Sequence, residues 1–249
     1  MIFNRVIVSL LIDNKDLVKG QKYQDHVYVG DPINAIRIFN NKEVDEISIL
    51  DKSAYKDKIN YNLIKKILNE AFIPISYGGG IKKSEQALRI IELGCEKIIL
   101  NTSAYKNHLL ISEIIKVLGS QSLTVKIDCK YVDDDYYVFI ENGTKFTKTL
   151  VKDYSILMQE LGVGELIISS IDKEGSRSGY DLELVKTISE KINIPIIIDG
   201  GAGGIDDFKK IFSKNFFLAC SAGTIFTFYK KNKSVLLNYL NKKERESLF

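Results

Sequence analysis

The feature that most constrains this chain is an internal doubling. Ile73-Pro74-Ile75-Ser76-Tyr77-Gly78-Gly79-Gly80 returns as Ile194-Pro195-Ile196-Ile197-Ile198-Asp199-Gly200-Gly201, an offset of 121 residues. Glu46, at the head of one apolar run, is echoed by Glu165 at the head of another, an offset of 119. In a chain of 249 residues that offset is close to half the length, so the two halves are built on one plan. Short apolar runs at 5–11, 46–51, 73–77, 97–100, 123–128, 165–170, 194–199 and 216–220 alternate with segments of helical periodicity. The helical segments are 31–42, 58–71, 83–94, 106–118, 150–162, 181–192, 204–213 and 230–241. Near-continuous apolar runs suit strands buried on both faces. Eight such strands, each followed by a helix, predict an α/β architecture, a (β/α)8 TIM barrel made of two similar half-barrels. An open doubly wound sheet is the competing arrangement, and the regular eightfold repeat favours closure. No linker-like stretch interrupts the chain, so residues 1–249 are expected to form a single barrel domain. The stretch 130–148 breaks the rhythm, and its alternation around Tyr136–Ile140 before Asn142-Gly143 predicts a β-hairpin inserted after strand five.

Composition narrows the function classes. With 45% apolar and 27% charged residues the chain is an ordinary globular one, and a net charge of +3 leaves no footprint for nucleic acid. The basic run at Lys230-Lys231-Asn232-Lys233 and Lys242-Lys243-Glu244-Arg245 is broken by acids and apolar residues and reads as a solvated helix face. Cys95, Cys129 and Cys220 are too few and too scattered for a disulfide framework, and His26 and His108 sit in no metal-ligand spacing. No metal and no cofactor are expected. No run of 18 apolar residues predicts a membrane span, and the apolar start reads as a strand rather than a signal peptide, so a cytoplasmic protein is expected.

Two glycine-rich turns carry the first chemical signal. Gly78-Gly79-Gly80 and Gly200-Gly201-Ala202-Gly203 each follow an apolar run and precede a helix, where backbone N–H groups can approach a phosphate closely. Asn101-Thr102-Ser103 and Gly223-Thr224 follow each turn at about 21 residues, again at strand ends. Tight-turn chemistry would explain one such loop. Two equivalent loops with matching partners predict two anion cups at one barrel mouth, hence a ligand with two phosphates or one recognised at both ends.

Asp128 ends strand five, where a barrel carries its active-site groups, so it is a candidate general acid or base or else a cap of the following loop. Asp51 and Asp172 share the same ambiguity in the two halves. Arg5, Glu46, Lys97 and Glu165 stand at the beginnings of strands one, two, four and six, which predicts a salt-bridge ring at the N-terminal face.

Taken together these motifs resemble the cyclase subunit of imidazole glycerol phosphate synthase over essentially the whole chain. The matching segments include Leu17–Gly20, Gly30-Asp31-Pro32, Tyr77–Ile81, Asn101-Thr102, Gly119–Ser122, Ile127–Lys130, Ser170–Gly175, Ser178–Asp181 and Gly200–Gly203. The resemblance implies a barrel that docks a glutamine amidotransferase (glutaminase) subunit on its N-terminal face and passes ammonia through to a phosphorylated small-molecule ligand. In that family Arg5, Glu46, Lys97 and Glu165 match the ammonia gate. Gly80, Asn101 and Thr102 match one phosphate site, and Gly175, Gly201, Gly223 and Thr224 the other, with Glu174 at a position where the family usually has Asp. Asp128 matches one of two catalytic aspartates, whereas Leu11 occupies the position of the other, Asp13 lying two residues on. Ser9-Leu10-Leu11-Ile12 and the Tyr28–Asn40 segment resemble a branch of the family that accompanies sugar amidotransferases in building acetamidino groups on surface polysaccharides.

Three functions fit this sequence. The barrel delivers ammonia for sugar amidination; it remains a true cyclase of histidine biosynthesis with Asp13 or Asp51 compensating for Leu11; or it is a non-catalytic scaffold that activates the glutaminase.

Overall fold

The computed structural model describes residues 4–55, 58–189, 191–213, 218–229 and 234–248. Eight barrel strands follow one another along the chain: β1 Val6–Asp13, β2 Glu46–Asp51, β3 Ile75–Gly78, β4 Lys97–Leu100, β5 Leu123–Val132, β6 Glu165–Ser170, β7 Ile196–Asp199 and β8 Leu218–Ala222. Each pairs in parallel with its sequence neighbour, and β1 pairs with β8 through Val6 opposite Cys220, so the sheet closes on itself. The (β/α)8 barrel expected from the doubling is the observed fold.

Helices Pro32–Asn41, Tyr61–Glu70, Ser84–Glu92, His108–Leu118, Val151–Glu160, Leu182–Ser189 and Ile205–Phe212 cover the outside. Their starts are written locally. Asp31 accepts from the Asn34 N–H at 2.8 Å ahead of Pro32, and Asn60 accepts from Leu63 N–H at 3.1 Å. Such caps satisfy backbone donors that a helix end leaves free. The main core lies between sheet and helices, where Ile36, Phe39, Ile90, Ile114 and Phe208 are fully buried. A second, smaller layer fills the barrel interior: Ile7, Ile99, Ile167, Ile197 and Ala219, with Leu50 against it. None of the described helices is long and apolar enough to cross a membrane.

Several expectations are corrected. No helix forms over 234–241, and residues 230–233 of that expected helix lie outside the described residues. Ser234–Val235 instead pairs antiparallel with Phe228–Tyr229. Leu236 and Asn238 donate their N–H groups to Thr227 O and Phe226 O, which commits the segment to an extended path. Tyr239 then reaches under the barrel to donate to Val6 O at 2.7 Å. The helical spacing of apolar residues there was outweighed by these non-local partners, and among the described residues of the basic tail only Lys242–Glu246 is helical. The helix expected at 106–118 is two, Thr102–Lys106 and His108–Leu118, broken at the extended Asn107.

Strand five runs on to Val132 and pairs with Asp135–Ile140, which pairs in turn with Lys145–Leu150 around the Asn142-Gly143 turn. The inserted hairpin is therefore a three-stranded meander. A second hairpin, Asp16–Gln21 with Gln24–Gly30, was not anticipated. It grows from the end of β1, where Leu11, Ile12 and Asp13 pair with Val18, Leu17 and Asp16.

Candidate functional site

The barrel floor and mouth can be built strand by strand. Glu46, Lys97 and Glu165 are the first residues of β2, β4 and β6, and Arg5 immediately precedes β1. The structure brings all four together. Arg5 donates to Glu46 Oε2 at 2.7 Å and to Glu165 Oε1, while Lys97 donates to Glu165 Oε2 at 2.8 Å. Thr124, on the inward face of β5, also points its hydroxyl at Glu165, 3.4 Å away. Burial disfavours the Arg5 guanidinium, but Glu165 and Glu46 outweigh it and raise its pKa. Burial raises the Glu46 carboxyl, with Lys97 and Arg5 opposing the rise. Above this ring the apolar layer of Ile7, Ile99, Ile167 and Ile197 separates it from the mouth.

At the C-terminal ends of the strands a cavity of about 830 Å³ opens, lined by Leu11, Asp13, Asp51, Asp128, Asp199 and both glycine turns. Asp128 is not a loop cap. Its Oδ1 accepts from the Tyr23 hydroxyl at 2.6 Å and from the Lys126 ammonium, and its Oδ2 accepts from Asn101 Nδ2 at 2.9 Å. Lys126 also donates to the Tyr23 oxygen at 2.8 Å and lies 3.6 Å from Asp199 Oδ2. Asp199 Oδ2 accepts from the Ser169 hydroxyl at 2.8 Å. Burial works against the Lys126 charge, yet Asp128, Tyr23 and Asp199 raise its pKa well above that of a free lysine. Burial and the Asp128 charge push the Tyr23 phenol well up, so it is a proton-bearing donor.

The other candidate carboxylates are engaged elsewhere. Asp51 Oδ1 accepts from Ser53 N, Ser53 Oγ and Ala54 N, which is the capping role. Its Oδ2 accepts from the Tyr77 hydroxyl at 3.2 Å. Asp172 accepts from Tyr131 N–H at 3.3 Å. Asp13 is paired with Lys52 at 3.0 Å, and it shares the pocket-lining face of β1 with Leu11 as period-two alternation requires.

Both glycine turns border the cavity. Gly80 has φ +67°, and a Cβ there would lie 2.4 Å from Ala54 O. Thr102 accepts from Glu141 N–H at 2.9 Å and donates to Asn101 Oδ1, so the first cup's side chains already hold one another. In the second, Gly201 has φ +111° and a Cβ would lie 2.2 Å from Gly179 O. A side chain is excluded at both positions by conformation and by space. Gly175 and Gly223 complete this side, and the Thr224 hydroxyl is buried without a hydrogen-bond partner. A buried hydroxyl without a partner is uncommon, and this one lies beside a glycine turn that borders the cavity.

The unanticipated hairpin covers this side of the mouth. Lys19 forms an ion pair with Glu174, whose Oε2 accepts from Tyr23 N–H at 3.3 Å. Burial, then Lys52, lowers the pKa of His26 on the second hairpin strand. Sequence reasoning passed over Lys19, Tyr23, Lys126 and Asp199. Two of them had a signal: Lys126 is a charge inside an apolar run, two residues before Asp128 and thus on its face, and Asp199 stands where the first half carries Gly78. Tyr23 had none, because only the hairpin's fold brings it to Asp128.

Comparison with known proteins agrees with this architecture. Residues 5–233 match the family described as histidine biosynthesis protein. A Leptospira borgpetersenii protein, provisionally named imidazole glycerol phosphate synthase subunit HisF, is 43% identical over 253 residues covering 100% of both chains. A Pseudomonas aeruginosa PAO1 protein provisionally named subunit hisF2 of the same synthase is 43% identical over 242 residues, 96% of each. The Hydrogenobaculum imidazole glycerol phosphate synthase subunit HisF is 36% identical over 243 residues, again 96% of each. The chain belongs to the histidine biosynthesis protein family, as a barrel similar to the HisF cyclase subunits of imidazole glycerol phosphate synthase.

Proposed function

We propose that this HisF-like barrel receives ammonia from a glutamine amidotransferase (glutaminase) seated on its N-terminal face and spends it on acetamidino modification of a surface-polysaccharide sugar. A separate sugar amidotransferase activates the acetamido oxygen, and the barrel supplies the nitrogen. One observation carries the reading. The Arg5, Glu46, Lys97 and Glu165 ring that the resemblance makes the ammonia gate is complete, while Leu11, at the position of the family's strand-one aspartate, cannot transfer a proton. The hisF2 name of the Pseudomonas relative is compatible with a barrel that stands beside the histidine-pathway subunit. Loss of one acid–base group commonly costs ~10²–10⁴ in rate, so a chain of this kind would be a poor cyclase.

The cups favour a second reading. Gly80, Asn101 and Thr102 on one side and Gly175, Gly201, Gly223 and Thr224 on the other suit a ligand carrying two phosphates, as a genuine cyclase would bind. A steady-state assay with ammonium and the bisphosphate substrate of imidazole glycerol phosphate synthase separates them. The amidination reading expects no turnover there and loss of acetamidino groups from the surface polysaccharide when the gene is deleted. Turnover of ~1–10³ per second would restore the cyclase. Stimulation of the glutaminase by the barrel, with neither turnover nor amidination, would leave only the scaffold.

A further inference from the structure

We propose that Asp199 is the second proton-accepting carboxylate of the reaction centre, set opposite Asp128 across the Lys126 ammonium, and that Lys126 positions both. The inference rests on the nitrogen-transfer reading above, since it assigns the groups that take protons from ammonia.

A carboxylate can serve incoming ammonia only if it faces the cavity and is tied neither to its own loop nor to a cation that it does not share. Asp51 holds its own loop, Asp13 is paired with Lys52, and Glu174 is paired with Lys19. Asp128 and Asp199 remain, both buried and both lining the cavity. They lie on β5 and β7, either side of β6, whose Ser169 donates to Asp199 and lies 3.0 Å from the Tyr23 hydroxyl.

Charge bookkeeping supports the assignment. Two carboxylates sharing a buried site do not both ionise without compensation. Lys126 supplies it, because its ammonium has three hydrogens and meets three oxygens: Asp128 Oδ1, the Tyr23 hydroxyl at 2.8 Å and Asp199 Oδ2 at 3.6 Å. The long third contact is the loosest of the set, so Asp199 is the carboxylate most available to a ligand. The pKa of Lys126, raised despite complete burial, fits an ammonium held by this oxygen cage.

The chemistry balances without a further reagent. When ammonia adds to an electrophilic carbon, its lone pair becomes the C–N bond and the displaced pair moves to the carbon's heteroatom. The nitrogen is left positively charged with three hydrogens. Asp199 takes one of them and becomes a carboxylic acid, the N–H pair staying on nitrogen, while Lys126 remains charged throughout.

The test uses the full barrel with its glutaminase, glutamine as nitrogen source, and two acceptors. One is an N-acetylated sugar with its sugar amidotransferase; the other is the bisphosphate substrate of imidazole glycerol phosphate synthase. On whichever acceptor the native chain turns over, Asp199→Asn is expected to lower the rate ~10²–10⁴-fold, with Asp199→Glu restoring part of it. Lys126→Met is expected to lose rate similarly, and Lys126→Arg to recover part. Nitrogen-15 spectra of the lysine side chains give a readout that needs no acceptor. A slowly exchanging ammonium signal should be present, vanish in Lys126→Met and shift in Asp199→Asn. An Asp199→Asn variant with undiminished rate, or a Lys126 ammonium exchanging as freely as a surface lysine, overturns the inference. Turnover of the bisphosphate alone removes the amidination reading and leaves the inference to be judged by the variants. Turnover of neither acceptor overturns both.

Discussion

Replacing Glu165 by glutamine is the sharpest perturbation of the charged ring. The side chain is only 6% exposed and receives Arg5, Lys97 and the Thr124 hydroxyl. Glutamine keeps its shape but removes its charge. Arg5 retains Glu46 at 2.7 Å and is 28% exposed, so water and that partner absorb much of its loss. Lys97 is 17% exposed and has Glu165 as its ion-pair partner at 2.8 Å, so it bears most of the cost. At that distance the Coulomb attraction is ~6 kcal/mol for an effective dielectric constant of ~20, a ceiling that desolvation cuts. Breaking a buried pair by removing one member typically costs about 3–5 kcal/mol, and the partial exposure of both cations brings the expectation to roughly 2–4 kcal/mol. For a domain of this size each kcal/mol lowers the melting temperature by roughly 2–4 °C. Urea unfolding followed by circular dichroism reads the loss directly. Removing the stranded charge as well, in Glu165→Gln/Lys97→Met, should recover a large part of it, a coupling in the range of about 0.5–3 kcal/mol. A single variant within ~0.5 kcal/mol of the native chain, or a double variant whose losses simply add, would refute the view that these charges form one coupled ring.

Tyr23→Phe deletes the hydroxyl that joins Asp128 at 2.6 Å and Lys126 at 2.8 Å, and should cost about 1–3 kcal/mol. It should also speed proteolytic cutting within residues 16–30; an unchanged cutting rate would show that the hydroxyl does not hold the hairpin closed. Thr224→Val removes a buried hydroxyl that has no partner, so stability should hold or rise slightly while affinity for inorganic phosphate falls. A large loss of stability, or unchanged phosphate binding in calorimetry, would contradict that. Alkaline pH gives a third test. Burial pushes the Cys95 thiol from 9.0 up to about 12, and Cys129, Cys220 and Lys126 are raised as well. A raised folded pKa means stability that is complete below the unfolded value and lost as pH rises towards the folded one. Urea midpoints should therefore be flat up to about pH 9 on account of these groups and fall above it, less steeply in Cys95→Ala. A fall as steep in that variant would remove Cys95 from the explanation.

Much of the architecture was legible in the amino-acid order. The doubling is a repeat in the amino-acid order itself, and the eight apolar runs and glycine turns depend on neighbours a few residues apart, which periodicity reports directly. Strand ends therefore placed both glycine turns at the mouth, and strand beginnings placed Arg5, Glu46, Lys97 and Glu165 at the floor; Asp128, expected to end strand five, lies four residues before its end at Val132. The last expected helix shows the limit of that method. Val235, Leu236, Tyr239 and Leu240 carry apolar spacing compatible with a helix, but Thr227 O, Phe226 O and Val6 O supplied better partners from elsewhere in the chain.

The buried cluster at the mouth depended on tertiary structure for the same reason. Tyr23 and Asp128 are separated by 105 residues, and Lys126 and Asp199 meet only because β5 and β7 flank β6 in a closed sheet. Sequence by itself determined the order of the barrel strands and which faces turn inward, because alternation and turn chemistry are local. Which inward charges meet, and which carboxylate is left to serve a ligand, was decided by barrel closure and by the hairpin folded over its mouth. Coulomb and hydrogen-bond energies act over a few ångströms of space regardless of how far apart the residues lie along the chain.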